Sequence, residues 1–391
     1  MLLEESLAAA VILSGVTFDN VWLFLLGAAL LLFVLILGLR RRAPKRPAQA
    51  PRLVRSPNNP LISPDPDHPW ENEATFNPAA VCVDGRIHLF YRALGSDGVS
   101  RIGHCSSGDG IHFDDRLPYP AFIPDIAAQS HLHAPFTSPA RFAYDRDRYA
   151  SGGGWGGSED PRAVVIDDTV HMTFSSFNGW DSIRMTHSSL HVDHLKARRW
   201  NWSRPRFLSP QGQRHKNWVV FPEKIRGKYA VVHSVGPLRI EFLDSLDELN
   251  DGGRFSGKHD HGGSGYRDPS RAHHWDNIVR GAGAPPVLTE EGWLLFYQAL
   301  SPSDRSRYNI GVMLLDRNDP TTILYRSALP VLEPVMHYEN DWKPGIVYAS
   351  GAVVKDGELF VYYGGGDKTV NVATAPLARF LSELMQPEHK A

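Results

Sequence analysis

From residue 57 onward the apolar positions do not recur at the 3.6-residue spacing of a helix. They gather into short β-branched or aromatic runs closed by charged or glycine turns. The pattern is a repeated unit of a strand, a turn, a second strand ending in an aromatic or small pair, and a third strand, found five times along the chain. The first strands begin at Asn77-Pro78, Asp160-Pro161, Phe221-Pro222, Ala284-Pro285 and Ser350-Gly351, and the third strands run on from Ser100, Ser182, Leu238, Tyr308 and Lys368. The turns between first and second strands read DG, DD, RG, EEG and DG, which is hairpin chemistry. Apart from Leu377 to Met385, no stretch of this region carries a long helical period, so the helices that cross over between parallel strands are missing. The pattern predicts an all-β, five-bladed β-propeller over residues 57–380 with a C-terminal tail at 381–391. A β-sandwich is the competitor, and five similar three-strand units suit radial repetition better.

The N-terminal region follows another pattern. After a segment 1–20, Val21 to Leu39 is uncharged and apolar, long enough as a helix to cross a hydrocarbon core of roughly 30 Å. Glu4, Glu5 and Asp19 precede it where a cleavable signal peptide needs basic residues, and Arg40, Arg41, Arg42, Lys45 and Arg46 follow it. The expectation is a single transmembrane helix at 21–39 in the plasma or inner membrane, a basic, Pro-rich linker at 40–56, and a domain facing the cytoplasm.

Composition narrows the chemistry. Lys and Arg total 41 against 43 for Asp and Glu, so no global charge favours nucleic acid. Cys82 and Cys105 lie in apolar strand-like runs, which reads as two reduced core cysteines. The 18 histidines include His131 with His133 and His259 with His261, but neither pair has a carboxylate in a ligand pattern, so no metal and no cofactor are expected. The ten tryptophans and thirteen tyrosines suit a stacking surface for sugars, although most aromatics serve a core.

In a propeller the first strand of each blade lines the axis, so Asn77, Asp160, Phe221, Ala284 and Ser350 are expected to converge at one mouth. The sharpest local signal is Ser158-Glu159-Asp160-Pro161-Arg162. Pro161 should push Asp160 toward extended backbone. Adjacent carboxylates and desolvation should raise a pKa toward what a general acid needs. The bland alternative is a surface turn with an internal Asp–Arg pair.

The motifs FNPA, FYRA, SRIG, SEDPR, KNWVVFPEK, GAGAPP with EEGWLLFYQA, LLDRNDP and VYYGGGD, in this order over about residues 57–380, resemble glycoside hydrolase family 130. The resemblance implies a five-bladed propeller acting on β-mannosides with inversion, some members being hydrolases and others phosphorylases. It implies Asp160 as general acid, its proton passing through a sugar hydroxyl, with Asn77, Arg92 and Asp367 as sugar ligands. Arg101, Glu159 and Arg162 fall in matching motifs. Family phosphorylases hold phosphate with a Lys before the FPEK strand, a His-Arg pair after it and a His in a YHG triplet. Here Lys216 and His233 are in place, but Ser234 and Gln298 stand at the other two positions. That loss of cations tilts the reading toward a hydrolase, which needs a carboxylate base roughly 6.5–9.5 Å from the acid. Glu223 is the first candidate, with Glu290, Glu291, Glu333 and Glu339 behind it. The phosphorylase alternative takes inorganic phosphate as co-substrate. A non-catalytic propeller binding a mannose-containing oligosaccharide and an interaction scaffold are the readings from other classes. Trp155 is a candidate stacking residue, and Asp251 to Arg271 reads as a Gly-rich loop or lid.

Overall fold

The computed structural model describes residues 50–123, 154, 156–178, 183–210, 213–250, 266–267 and 271–391, with Leu25, Ala28 and Ala29. The chain divides into a unit Met1–Ala48 and a unit Gln49–Ala391. Of the expected span at 21–39, Leu25, Ala28 and Ala29 are helical and exposed, and the rest lies outside the described residues. No helix among the described residues is long and apolar enough to cross a membrane. Trp155, His131, His133, His259 and His261 also lie outside them.

Five antiparallel blades follow one another in the second unit. Blade 1 comprises Ala74–Val83, Arg86–Leu94 and Val99–Ser107, and blade 2 comprises Gly156–Ile166, Thr169–Asn178 and Ile183–His191 with Arg206–Phe207 outside. Blade 3 is Val219–Val220, Tyr229–Val235 and Leu238–Leu243, and blade 4 is Ile278–Ala282, Trp293–Ser301, Asp304–Leu315 and Ile323–Arg326. Blade 5 is Val347–Lys355, Glu358–Gly365 and Thr369–Pro376. Four of the five expected hairpin turns have positive φ at both central residues: Asp84 and Gly85, Asp167 and Asp168, Arg226 and Gly227, Asp356 and Gly357. This is the type I′ geometry that matches strand twist.

The core is divided among the blade interfaces, because successive side chains of a strand point to opposite faces. In blade 1, Ala79, Val81 and Val83 pack on blade 2, while Ala80 packs on blade 5. In blade 4, Trp293, Leu295 and Tyr297 pack on blade 3, and Leu294 and Phe296 on blade 5. A fifth cluster joins blade 2 to blade 3 through Val164, Trp218 and Val231. Every blade is therefore buried on both faces, and the five interfaces close a ring. This explains why the strands read as nearly continuous apolar runs.

Both chain ends of the unit join the ring. Val54–Arg55 pairs with Ala373 and Thr374 as the outer strand of blade 5. Arg55 holds the fully buried Glu339 at 2.7 and 3.0 Å, and the Tyr363 hydroxyl donates to the same carboxylate at 2.8 Å. The helix Leu377–Leu384 buries Phe380, Leu381 and Leu384, and His389 accepts from the Ala328 amide. The end of the expected linker and the expected tail are thus packed parts of the body. Cys105 is buried, but Cys82 is exposed rather than in the core, since its strand position faces outward.

Candidate active site

The first strands do not run straight past the axis. In blade 1 the register slips between Phe76 and Ala79, and in blade 2 between Glu159 and Arg162. The residue inside each bulge is left-handed, Asn77 at φ 48° and Asp160 at φ 51°. The extended geometry expected for Asp160 is therefore corrected: Asn and Asp tolerate this region best among residues with a side chain, and the bulge uses it to turn the side chain inward. Blade 4 bulges likewise between Val279 and Gly281, and blade 5 between Ala349 and Gly351.

The bulges bring Asn77 and Asp160 together, with Asn77 Nδ2 donating to Asp160 Oδ1 at 2.7 Å. Arg92, from the second strand of blade 1, reaches Glu159 Oε1 at 2.8 Å and Asp160 Oδ1 at 3.4 Å, and its Nε donates to Ser100 Oγ at 3.0 Å. Lys216 takes the other oxygen of Glu159 at 3.3 Å. Arg162 folds back onto the Asp160 carbonyl at 2.6 Å and donates to the Gly283 carbonyl of blade 4 and to Asn217 Oδ1. The Tyr348 hydroxyl of blade 5 donates to the same Asn217 oxygen at 2.6 Å. Asn77, Arg92, Glu159, Asp160 and Arg162 are all buried.

These cations reverse the expected electrostatics. Burial alone would raise the Asp160 pKa, but Arg92, then Lys216 and Arg162, and the Asn77 hydrogen bond overcome it and bring the carboxyl down to about 2. Glu159 does not push on Asp160 as expected, because it is matched by Arg92 and Lys216. Asp160 is therefore ionised near neutral pH.

Beside this cluster a recess is lined by Lys216, Asn217, His233, Ser234 and Arg280. The buried oxygens Asn77 Oδ1, Ser234 Oγ, Gln298 Oε1 and Ser350 Oγ have no hydrogen-bond partner among the described residues.

Other expected site residues have bonds outside this cluster or sit apart from it in the sheets. Arg101 is bound to Asp97 at 2.6 Å and braces its own hairpin. Glu223, Glu290, Glu291 and Glu333 are exposed and outside the Asp160 cluster, and Glu339 closes the ring through Arg55. Phe221 and Ala284 sit in the inter-blade core, not at the axis mouth, because the inward-turned positions of those blades are Asn217 and the Gly281 bulge. Asp367 lies in the blade 5 hairpin turn at φ 53°, paired with Lys343 at 2.9 Å instead of capping its own backbone. Asn217, Arg280 and Tyr348 were not anticipated. Of these, Asn217 had a usable signal, as it follows Lys216 in the motif KNWVVFPEK. Among the described residues one group has the makings of a cation site, Asp65, His68 and Glu71. Glu71 there is already bound by Arg116 at 2.7 Å and by the Tyr91 hydroxyl at 2.8 Å, so its charge is matched.

The glycoside hydrolase 130 family, described as beta-1,4-mannooligosaccharide phosphorylase, matches residues 149–386. A beta-1,2-mannobiose phosphorylase of Thermoanaerobacter sp. is 31% identical over 337 residues, which cover 82% of this chain and 96% of the relative. A 1,2-beta-oligomannan phosphorylase of the same organism is 31% identical over 336 residues, with the same coverage of 82% and 96%. The solved structure of a beta-1,2-mannobiose phosphorylase from Listeria innocua superposes with a TM-score of 0.59 at 23% identity, covering 85% of this chain and 99% of that one, a likeness of fold.

Proposed function

The chain belongs to glycoside hydrolase family 130, and from that premise we propose that it cleaves β-mannosides by phosphorolysis, releasing mannose 1-phosphate. The observation that carries this reading is the recess beside Asp160, which gathers Lys216, His233 and Arg280. Such a set suits an anionic nucleophile. Glu223, Glu290, Glu291 and Glu333 are exposed and Glu339 is held by Arg55, so none of the glutamates considered as a water-activating base lines this recess.

In this reading Asn77, Arg92 and the partnerless oxygens at the axis hold the sugar hydroxyls. A phosphate oxygen in the recess supplies the electron pair for the new bond to the anomeric carbon. The bond to the leaving oxygen breaks on the opposite face, and that oxygen receives a proton from Asp160 by way of a sugar hydroxyl. The β-linkage becomes an α-phosphate. Asp160 must gain that proton as the substrates bind: an anion beside Lys216 and Arg162 offsets the field that holds its pKa near 2. The two Thermoanaerobacter relatives are named for β-1,2 substrates, which makes β-1,2-mannobiose the first compound to offer. The apolar run at 21–39 is proposed to anchor the enzyme to a membrane.

Ser234 and Gln298, in place of two cationic residues, favour hydrolysis as the second reading. Incubation of the chain from Arg52 onward with β-1,2- and β-1,4-mannobiose, with and without phosphate, separates the two. Mannose 1-phosphate formed only with phosphate is expected, and Asp160→Asn should lower kcat by two to four orders of magnitude. Phosphate-independent release of free mannose would overturn phosphorolysis.

A further inference from the structure

The recess contains a residue whose presence the family resemblance does not explain. Family phosphorylases carry an arginine where this chain has Ser234, and the serine leaves the recess one cation short. Ser234 is 5% exposed, lines the recess, and its Oγ has no hydrogen-bond partner among the described residues. Arg280, on the first strand of the next blade, lines the same recess. We propose that Arg280 holds the attacking phosphate in this chain, taking over across the blade boundary the place of an arginine at position 234, with the Ser234 hydroxyl as an added donor. The inference rests on the phosphorolysis reading and deepens it by naming the residue that sets phosphate affinity.

The local geometry positions Arg280 for this task. The blade 4 bulge places Gly281 at φ 133°, where an added Cβ would stand 2.7 Å from Asn217 Nδ2, so only glycine lets this strand approach blade 3 so closely. Asn217 then donates to the Arg280 carbonyl at 3.0 Å, while its Oδ1 accepts from Arg162 and Tyr348. One asparagine thus ties the backbone of Arg280 to the shell of Asp160. The Arg280 guanidinium lies 5.3 Å over the Tyr308 ring, which fixes its plane. Its charge also lowers the Tyr348 phenol, which burial otherwise raises and which ends at about 12. A planar guanidinium, an ammonium, an imidazole and a hydroxyl around one small recess match the oxygens of a tetrahedral oxyanion. A serine at 234 leaves room for a guanidinium arriving from the other side.

The test measures the KM for orthophosphate and for β-1,2-mannobiose separately, together with orthophosphate binding by calorimetry without sugar. Arg280→Met should raise the phosphate KM about tenfold or more, the loss expected of one charge-assisted hydrogen bond, and weaken calorimetric binding in step, with the mannobiose KM nearly unchanged. Arg280→Lys should fall between. Ser234→Arg combined with Arg280→Met should recover phosphate affinity, which a purely structural role for Arg280 would not allow. An unchanged phosphate KM in a folded Arg280→Met would overturn this inference and leave phosphorolysis standing. A parent enzyme that neither uses nor binds orthophosphate would overturn both.

Discussion

Glu159 and Asp160 are neighbours in the chain, yet their carboxylates have different partners because the bulge between Glu159 and Arg162 separates their directions. Glu159 is fully buried between Arg92 and Lys216, while Asp160 shares Arg92 with it and takes Asn77. Among the described residues Arg92 is the cation bonded to both acids, and its guanidinium also lies 4.7 Å over the Phe76 ring. Arg92→Met should cost about 3–5 kcal/mol, the penalty for stranding a buried charge. The measurement is thermal or denaturant unfolding. Adding Glu159→Gln should return part of the loss, whereas purely additive losses would show that the ion pair is not the source.

At the scale of strands and turns, the blades are held in register by a few backbone positions with no freedom. Blades 1 and 2 are joined by a short parallel pairing of Val99 with Gly156 and Ser100 with Gly157. Gly157 has φ 109°, and a Cβ there would stand 2.2 Å from the Ser100 carbonyl. Gly357, in a hairpin turn at φ 77°, has nothing within 4 Å of an added Cβ. Gly357→Ala should thus cost only the left-handed strain of about 1–2 kcal/mol. Gly157→Ala should cost more and also lower activity, since the displaced strand carries Asp160 three residues later. Melting temperatures and kcat of the two variants compare these directly, and equal losses in both would refute the close-approach argument.

Over the whole molecule, buried histidines make the fold sensitive to acid. Blades 1 and 2 repeat one device, a histidine pair across adjacent strands: His88 with His104 and His171 with His187, each joined at 3.1 Å. Burial lowers all four, His88 to about 4 and His104 and His187 to about 3. With folded pKa values below the unfolded 6.5, the unfolded chain binds more protons between about pH 6.5 and pH 4. Stability therefore falls as pH drops through that window, by at most about 1.4 kcal/mol per pH unit for each histidine. Asp160 acts lower, its contribution being lost only as pH falls from 3.8 toward about 2. Melting temperature against pH should decline below pH 6.5, and His104→Phe with His187→Phe should flatten the decline. An unchanged slope in that double variant would mean that other groups carry the acid sensitivity.

Much of this is legible in the sequence, because strand period, turn chemistry and repetition are local properties. The five hairpins, the closing helix and the first-strand signals Asn77 and Asp160 follow from neighbours in the chain. Arg92 and Lys216 came into view through motif resemblance. What the chain alone left open depended on contacts between distant segments. The left-handed backbone at Asn217 in blade 3 and the register slip between Val279 and Gly281 in blade 4 put Asn217 and Arg280, not Phe221 and Ala284, at the recess. Ring closure makes a structural anchor of Glu339, and the meeting of Arg92, Lys216 and Arg162 around Asp160 lowers a pKa that adjacency to Glu159 alone would have raised. Side-chain direction and electrostatic field are sums over the whole ring, so only the tertiary structure decides them.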